Sequence, residues 1–551
     1  MSYHRRENVY VLAIAGNGCC LHKSMARSNT SSQYCILLRC RRPFDRSPYI
    51  KHLQVKLPPI FYCGSLVLQS YIITTIFNAC VQIQNIMSRI QMAINADAAY
   101  ADDDIDTSEI FTALCDEYRR THESIEVDFR SMVGWVRLGD QLTHQLHPYP
   151  AKLLPNIAHF FIRAKILNRA NAGSVLDPFC GSGTVALEAS AAGYRPLIAD
   201  ANPLALLISK VKTIAYDVAA LRDAARTISV KVARFKTAPT IAIVNEHLWY
   251  TKDKKLMLEK ISRAINEAVD GDSQDFFRVC LSVVARKLSF ADPAISVPVR
   301  LRIKDGLGAH HKSRVEARIE WLEGADPLAE FSKICEANIK RVEETNLARP
   351  DRMSAIVVGV DARNLRSSSQ SRNSRLRSAS VPLIVTSPPY GSAQKYIRAV
   401  SLSLNWLSLA LPSELAALQG KSIGREHVPN YSHLEIIEPL PPSYASLCKR
   451  VAAKNPTRGR ITSQYLSDLR AALIEMARVT AIDGHIVLVI GNNEVCGETL
   501  RNDKFAMAVL QEAGMSLELA LIDHIKSRGL MTKRNKTASL ISRESVLVFK
   551  K

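Results

Sequence analysis

No two cysteines of this 551-residue chain stand in C-x-x-C spacing, and no Cys/His set has the spacing of a zinc module. Twelve cysteines in such a length do not make a disulfide scaffold either. Half of them (Cys19, Cys20, Cys35, Cys40, Cys63, Cys80) fall in the first eighty residues, and the expectation is reduced thiols in a cytoplasmic protein with no metal site. A signal-peptide cleavage pattern is also missing. Leu57–Met87 carries no charge, yet its most apolar part, Leu66–Ile83, is diluted by Gln69, Ser70, Asn78 and Gln82, so no membrane partner is expected. Acidic residues are few: 52 Asp and Glu face 72 Lys and Arg, a net charge of +20. Such an imbalance suits a polyanionic partner, because each neutralised phosphate releases condensed counterions.

What is present is an ordinary globular composition, 47% hydrophobic and 23% charged, in a chain long enough for two or three domains or for one α/β core with large insertions. Residues 1–90 lack a sustained period and read as a poorly specified leader, upstream of a start at Met87 or Met92. Regular structure begins after Asp102, Asp103, Asp104 and Asp106. Ser174–Leu176 is a short apolar strand entering a Gly-rich turn, Val185–Ala192 a helix, and Pro196–Ala199 a second strand ending at Asp200: a βαβ opening. Leu256, Ile261, Ala264, Ile265 and Ala268 recur at helical spacing. So do Phe277, Leu281, Val284 and Leu288, and then Leu328, Phe331, Ile334, Ile339 and Val342. Most of 205–347 is therefore expected to be helical. Strand signals return at Ala355–Val358 and Val381–Val385. A helix follows around Leu466–Val479, and strands at Ile486–Ile490, Leu517–Ile522 and Val546–Phe549.

Two clusters carry chemistry. In Val175-Leu176-Asp177-Pro178-Phe179-Cys180-Gly181-Ser182-Gly183-Thr184, two glycines sit between a buried strand and a helix. They permit a tight turn and close approach of a ligand, and the helix start at Thr184 offers free N–H groups to a carboxylate or phosphate. Asp200, ending the next strand, can accept both hydroxyls of a ribose. The second cluster, Ser387-Pro388-Pro389-Tyr390, follows a strand and should lie beside that turn, since ligands of open α/β sheets sit at the strands' carboxyl ends. Its prolines stiffen the backbone and leave carbonyls free. A conjugated exocyclic amino nitrogen is a poor nucleophile. Acceptors on its hydrogens, the Ser387 side chain and the Pro388 carbonyl, would draw it toward a tetrahedral shape, and Tyr390 offers a ring on which a flipped base can stack.

The block from Asp177 to Thr184, with Asp200-Ala201-Asn202-Pro203 behind it, looks like the S-adenosylmethionine-binding motif of amino-methyltransferases. Ser387-Pro388-Pro389-Tyr390 is similar to the catalytic motif of the N4-cytosine and N6-adenine DNA methyltransferase family, in which a leading Ser usually accompanies cytosine N4. His147-Pro148-Tyr149-Pro150-Ala151-Lys152-Leu153-Leu154-Pro155 resembles the family's block that helps bind the methionine end, implying Tyr149 and Lys152. Val357–Arg363 resembles the third-strand motif, implying that Asp361 meets the adenine amino group. Asp483-Gly484-His485 to Gly491-Asn492-Asn493 resembles the fifth-strand region lining the base pocket.

The resemblance implies an α/β, Rossmann-like S-adenosylmethionine-dependent methyltransferase fold with a mostly parallel sheet. It also implies double-stranded DNA as partner, in a restriction-modification setting with a cognate endonuclease. The catalytic domain is expected in 130–215, 350–411 and 465–551. Residues 240–347 form a helical insertion and 412–464 a second one, both candidates for contacting DNA through Arg286, Lys287, Arg300, Arg302, Lys304 and Arg314, or through Lys421, Arg425, His427, Lys449, Arg450, Lys454, Arg458 and Arg460. A Ser/Arg-rich loop at Asn364–Ser380 and the stretch Arg528–Lys536 are further basic candidates. Two departures bear on the target: the cofactor motif precedes the catalytic tetrad, and a long helical block separates the second and third strands. N6-adenine and an amino group in RNA, such as guanine N2 of tRNA, are the alternative targets. A silent DNA-binding subunit is the alternative to an enzyme, and the intact Ser387–Tyr390, Gly181, Gly183 and Asp200 argue against it.

Overall fold

Short apolar runs that alternate between two buried faces make a sheet covered on both sides, and this chain builds one of eight strands. The computed structural model describes residues 9–15 and 18–24 and, from 106 onward, all but 134–138, 140, 151, 169–172, 304–305, 307, 367–375, 392–394, 426–439 and 526–541. The chain divides into two units, Met1–Ile86 and Met87–Lys551. In the first, β1 (Val9–Ala15) and β2 (Gly18–Ser24) pair as an antiparallel hairpin. The rest of the expected leader, including Leu66–Ile83, lies outside the described residues. Among the described residues no helix is long and apolar enough to cross a membrane.

The second unit holds the sheet. Its strands are β3 (Ile125–Val127), β4 (Ser174–Asp177), β5 (Arg195–Ala199), β6 (Ile356–Gly359), β7 (Val381–Thr386), β8 (Thr480–Ile490), β11 (Ser516–His524) and β12 (Arg543–Lys550), with a small hairpin of β9 (Asn493–Val495) and β10 (Glu498–Leu500) outside it. Spatial order is β3-β11-β12-β8-β7-β4-β5-β6. Pairings β6–β5, β5–β4, β4–β7, β7–β8 and β11–β3 are parallel, while β12 is antiparallel to both β8 and β11. Seven strands therefore run one way and β12 alone runs against them. Consequently the amino end of β12 reaches the edge where the other strands present their carboxyl ends. This is the mostly parallel, helix-flanked sheet expected of a Rossmann-like methyltransferase.

The two-residue period sorts side chains onto two cores. Val175, Leu383, Val385, Val487, Val489, Leu519 and Val548 pack on one face with Phe129, Phe160 and Phe161. Leu176, Ile384, Ile486, Leu488, Ile490, Leu547 and Phe549 pack on the other, against helices Pro442–Lys454, Pro456–Val479 and Asn502–Glu512. Buried on both faces, the parallel strands read as continuous apolar runs.

Helices Val218–Arg234, Lys252–Ala268, Gly271–Leu288, Ala309–Gly324 and Pro327–Ala348 fill the gap between β5 and β6. Their stripe residues Ile261, Ile265, Phe277, Leu281, Val284, Phe331, Ile339 and Val342 share one core with Leu204, Ile208 and Val211 of the helix after β5. The inserted helices thus share a core with that helix of the sheet-bearing unit. Leu256 departs from the expected stripe at 37% exposure, and Leu258 is buried in its place, since two residues of helix turn the side chain to the other side. At the second insertion the boundary at 464 cuts through helix Pro456–Val479, which is core-facing from Ile461 onward. The apolar signal at its start is weakened by Arg458 and Arg460.

Candidate functional site

β4 ends at Asp177, and the turn Pro178–Gly183 leads into helix Thr184–Ala191. Gly181 and Gly183 both hold positive φ, 46° and 74°. A Cβ on Gly183 would lie 2.8 Å from Ser209 Cα, so the glycine is required by conformation and by packing alike. Three ties fix the turn. Asp200 Oδ2 accepts from Gly181 N at 2.9 Å. Asp200 Oδ1 accepts from Asn202 N at 2.8 Å. Lys212, wholly buried, donates through Nζ to Ser182 O at 2.7 Å and to His144 O at 3.0 Å. Asn202 caps the next helix by accepting from Leu204 N at 3.1 Å, and its Nδ2 donates to Tyr149 Oη at 2.9 Å. Beneath the turn, buried Glu188 joins His144 (2.7 Å) and His159 (2.9 Å).

Phe179, Gly181, Asp200, Tyr149, Lys152, Asp361, Ser387, Pro388, Pro389 and Tyr390 all line one cavity of about 580 Å³. The two motifs, some two hundred residues apart in the chain, therefore share one wall. Asp177, Gly183 and Thr184 do not line it. Asp177 is instead buried, its Oδ1 accepting from Thr386 Oγ1 at 2.6 Å and from Phe179 N at 3.0 Å, a clasp between β4 and β7 that sets the two motifs side by side. Asp177 is thus engaged as a structural tie within the fold. Asp361 faces the cavity with its carboxylate already gripped by Arg363, at 2.9 Å to Oδ1 and 2.8 Å to Oδ2, and Arg363 also holds Asp468 at 2.7 Å. Lys152 donates to His144 O at 3.3 Å. His147 is buried against Ser282 Oγ at 2.9 Å, and burial holds its pKa down at about 3.

The fifth-strand motif splits. Asn493 Nδ2 donates to Gly391 O at 2.9 Å and so steadies the tetrad. Asp483, Gly484 and His485 lie toward the far end of β8, where His485 meets Glu518 at 3.2 Å, because an eleven-residue strand spans the sheet from edge to edge.

Burial raises the pKa of Asp200 to about 6, with the Asn202 and Gly181 N–H groups pulling it back. Burial raises Asp177 to about 7, opposed by Thr386 and Phe179. Asp177 therefore holds a proton in the folded state across the interval from 3.8 to about 7, where the unfolded chain has lost it. Stability from this group falls as pH rises through that window. Asp177→Asn, whose amide oxygen can accept both bonds, is expected to melt above wild type at pH 8 and to lose that advantage as pH falls to about 4. Calorimetric scans at the two pH values check it; equal destabilisation at both would refute it.

The cavity also exposes residues that sequence reasoning missed: Arg130, Tyr396, Asp523 and Glu544. Tyr390 Oη donates to Glu544 Oε1 at 2.7 Å and lies 3.3 Å from Ser387 Oγ. Nothing local marks Glu544, since its place depends on the reversed direction of β12.

Several basic candidates for DNA contact are engaged within the chain. Arg286 donates to Ile295 O at 3.0 Å, Lys287 pairs with Glu330 at 2.5 Å, and Arg300 donates to Leu248 O and stacks on Phe290. Arg450 and Lys454 pair with Glu498 at 3.0 and 2.7 Å, and Arg425 donates to Gly420 O. Arg302, Arg314, Lys421 and Lys449 are exposed. Lys304, Arg372, Arg375, His427 and Arg528–Lys536 lie outside the described residues.

The fold is the Rossmann-like one expected of a methyltransferase, and one cavity brings the two sequence motifs together. The chain is 24% identical over 374 residues to Type II methyltransferase M.MvaI of Kocuria varians, covering 64% of this chain and 78% of the relative. It is 32% identical over 80 residues to Type II methyltransferase M.MjaII of Methanocaldococcus jannaschii, 14% of each chain. A solved rRNA methyltransferase, aviRa from Streptomyces viridochromogenes, aligns at 11% identity over 73% of this chain and 88% of its own with a TM-score of 0.24, too slight a likeness to bear on the fold. No family model matches. The relatives agree with the amino-methyltransferase resemblance carried by the motifs.

Proposed function

We propose that the chain is a site-specific DNA methyltransferase that moves a methyl group from S-adenosylmethionine to an exocyclic amino nitrogen, with cytosine N4 the favoured target. The observation that carries this reading is the one cavity that Phe179, Gly181 and Asp200 line together with Ser387, Pro388, Pro389 and Tyr390. The names of the two Type II relatives support DNA as substrate, and the +20 charge agrees; a modification system with a partner endonuclease is part of the same proposal.

The residues fit the cofactor. Asp200 presents a carboxylate at the end of β5 to ribose hydroxyls, Gly181 leaves room for the backbone to approach, and Lys152 lines the wall near the turn. Bound there, the cofactor supplies a sulfonium methyl. Ser387 Oγ and the Pro388 carbonyl accept from the amino hydrogens of a flipped base, and Tyr390 supports its ring. Ser387 leading the tetrad favours cytosine N4 over adenine N6.

Transfer of labelled methyl to duplex DNA and to tRNA, followed by nucleoside mass spectrometry, tests the reading. N4-methylcytosine in DNA supports it, N6-methyladenine overturns the base, and label in tRNA alone overturns the substrate. Asp200→Ala should weaken cofactor binding about ten- to a hundred-fold, since an ionised acceptor of two hydroxyls is lost. Wild-type affinity should likewise decline as pH falls through about 6, where Asp200 takes up its proton. Titration calorimetry reads both.

A further inference from the structure

Glu544 stands at the amino end of β12, opposite Asp523 of β11 in the sheet register, and both line the cavity. The Tyr390 hydroxyl joins it at 2.7 Å, and Ser387 Oγ is 3.3 Å from that hydroxyl. Three oxygens thus run in sequence from the tetrad's leading side chain to a carboxyl group beneath the site. Burial pushes the Glu544 pKa up and Tyr390 pulls it partly back. A neutral acceptor would anchor the Tyr390 hydroxyl as well, without the cost of desolvating a charge. An ionisable group here therefore calls for a role in which it gains a proton.

We propose that Glu544 is the terminal acceptor of the proton released by the target amino group, reached through Ser387 and Tyr390. The proposal rests on the amino-methyltransferase reading. The lone pair of the amino nitrogen forms the new N–C bond while the S–C bond breaks and its electron pair stays on sulfur, leaving nitrogen with one proton too many. That proton passes to Ser387 Oγ, the Ser387 proton to Tyr390 Oη, and the Tyr390 proton to Glu544. Both hydroxyls end as they began and Glu544 ends protonated; opening of the site returns the proton to water. Glu544 touches no reacting atom and acts through Tyr390. The 3.3 Å contact needs to shorten by a few tenths of an ångström when a base is seated, the tightening that hydrogen bonds of empty sites commonly undergo.

Single-turnover methylation of duplex DNA at saturating cofactor, followed from about pH 5 to 9, tests this. Saturation removes the titration of Asp200 from the profile. Among the described residues, the titratable groups facing Glu544 are Tyr390, Tyr396 and Asp523. Wild type should lose rate on the acid side, where Glu544 is already protonated. Glu544→Gln still accepts from Tyr390; it should react about tenfold slower or more, and its acid limb should vanish. Tyr390→Phe keeps the ring and should show the same loss, with Glu544→Gln adding little on top of it. Asp523→Asn should leave the acid limb in place. Cofactor affinity by calorimetry and DNA affinity by fluorescence anisotropy should be unchanged in Glu544→Gln and Tyr390→Phe. A wild-type rate in Glu544→Gln, or an acid limb that survives in it, overturns the proposal and leaves Glu544 an anchor. A wild-type chain that methylates no DNA overturns the underlying reading and the proposal together, whereas an active wild type with an equally active Glu544→Gln overturns the proposal alone.

Discussion

Tyr390→Ala should lower turnover on duplex DNA by about a hundredfold or more while cofactor affinity stays within about twofold of wild type. The ring lines the cavity next to Ser387 and is held by Glu544 at 2.7 Å, on the side where a flipped base would lie. Losing a stacking partner costs about 1–3 kcal/mol per base, and truncation also leaves the half-buried Glu544 carboxyl without this donor. None of the ties that fix the cofactor turn runs through Tyr390: Gly181 is bound to Asp200, Ser182 to Lys212 and Tyr149 to Asn202. The effect should therefore fall on kcat and on DNA, not on the cofactor. Steady-state kinetics paired with calorimetry separates the two, and an equal loss in cofactor affinity would show that the turn and the tetrad are not independent.

That independence was partly legible in the sequence. The Gly turn and the Ser-Pro-Pro-Tyr tetrad are contiguous, and each is placed at a strand's end by the apolar run before it, so local reasoning put them at one edge of a parallel sheet. What binds them to each other is long-range and left little trace. Asp177 looks like a motif residue, yet it is the Thr386 hydroxyl, in another strand, that turns it into a clasp. Lys212 occupies a helix whose neighbours Ile208 and Val211 are plainly apolar, and a lysine there would be assigned to solvent. It is fully buried because two backbone carbonyls from distant segments meet its ammonium. Glu188 is likewise unremarkable until folding brings His144 and His159 to its two oxygens.

Glu544 was hidden for a different reason. The run Val546–Phe549 announces a strand but not its direction, and only antiparallel pairing with β8 and β11 carries the strand's first residues to the site. The basic stretches left a different gap. Spacing shows that Arg286, Lys287 and Arg300 are near one another, but not that backbone carbonyls and Glu330 satisfy them inside the insertion. Amphipathic periodicity, by contrast, survived almost intact: of the first stripe only Leu256 turned outward, because the pattern is set by the helix itself.

Gly183→Ala and Gly193→Ala form a pair that isolates packing from conformation, and the first should be among the most damaging single-methyl changes in the chain. Both glycines hold nearly the same positive φ, 74° and 78°. A side chain in that region costs about 1–2 kcal/mol wherever it stands. At Gly193 a Cβ would meet nothing within 4 Å, so that cost is the whole expectation. At Gly183 the same Cβ would come within 2.8 Å of Ser209 Cα and Oγ, which belong to helix Pro203–Thr213. Backbone must move there, because no rotamer relieves a contact with Cα, and overpacking of this kind adds roughly 1–3 kcal/mol. Pushing that helix away also pulls Lys212 from Ser182 O and shifts the Asn202 cap, the contacts that hold the turn facing the cavity. Gly183→Ala is therefore expected to lose roughly 2–5 kcal/mol of stability and most of its cofactor affinity, with Gly193→Ala losing about 1–2 kcal/mol and none of the affinity. Denaturant titrations with calorimetry on the same preparations check both. Equal costs at the two positions would mean that the turn yields to the added methyl, and that conformation alone explains the glycine at 183.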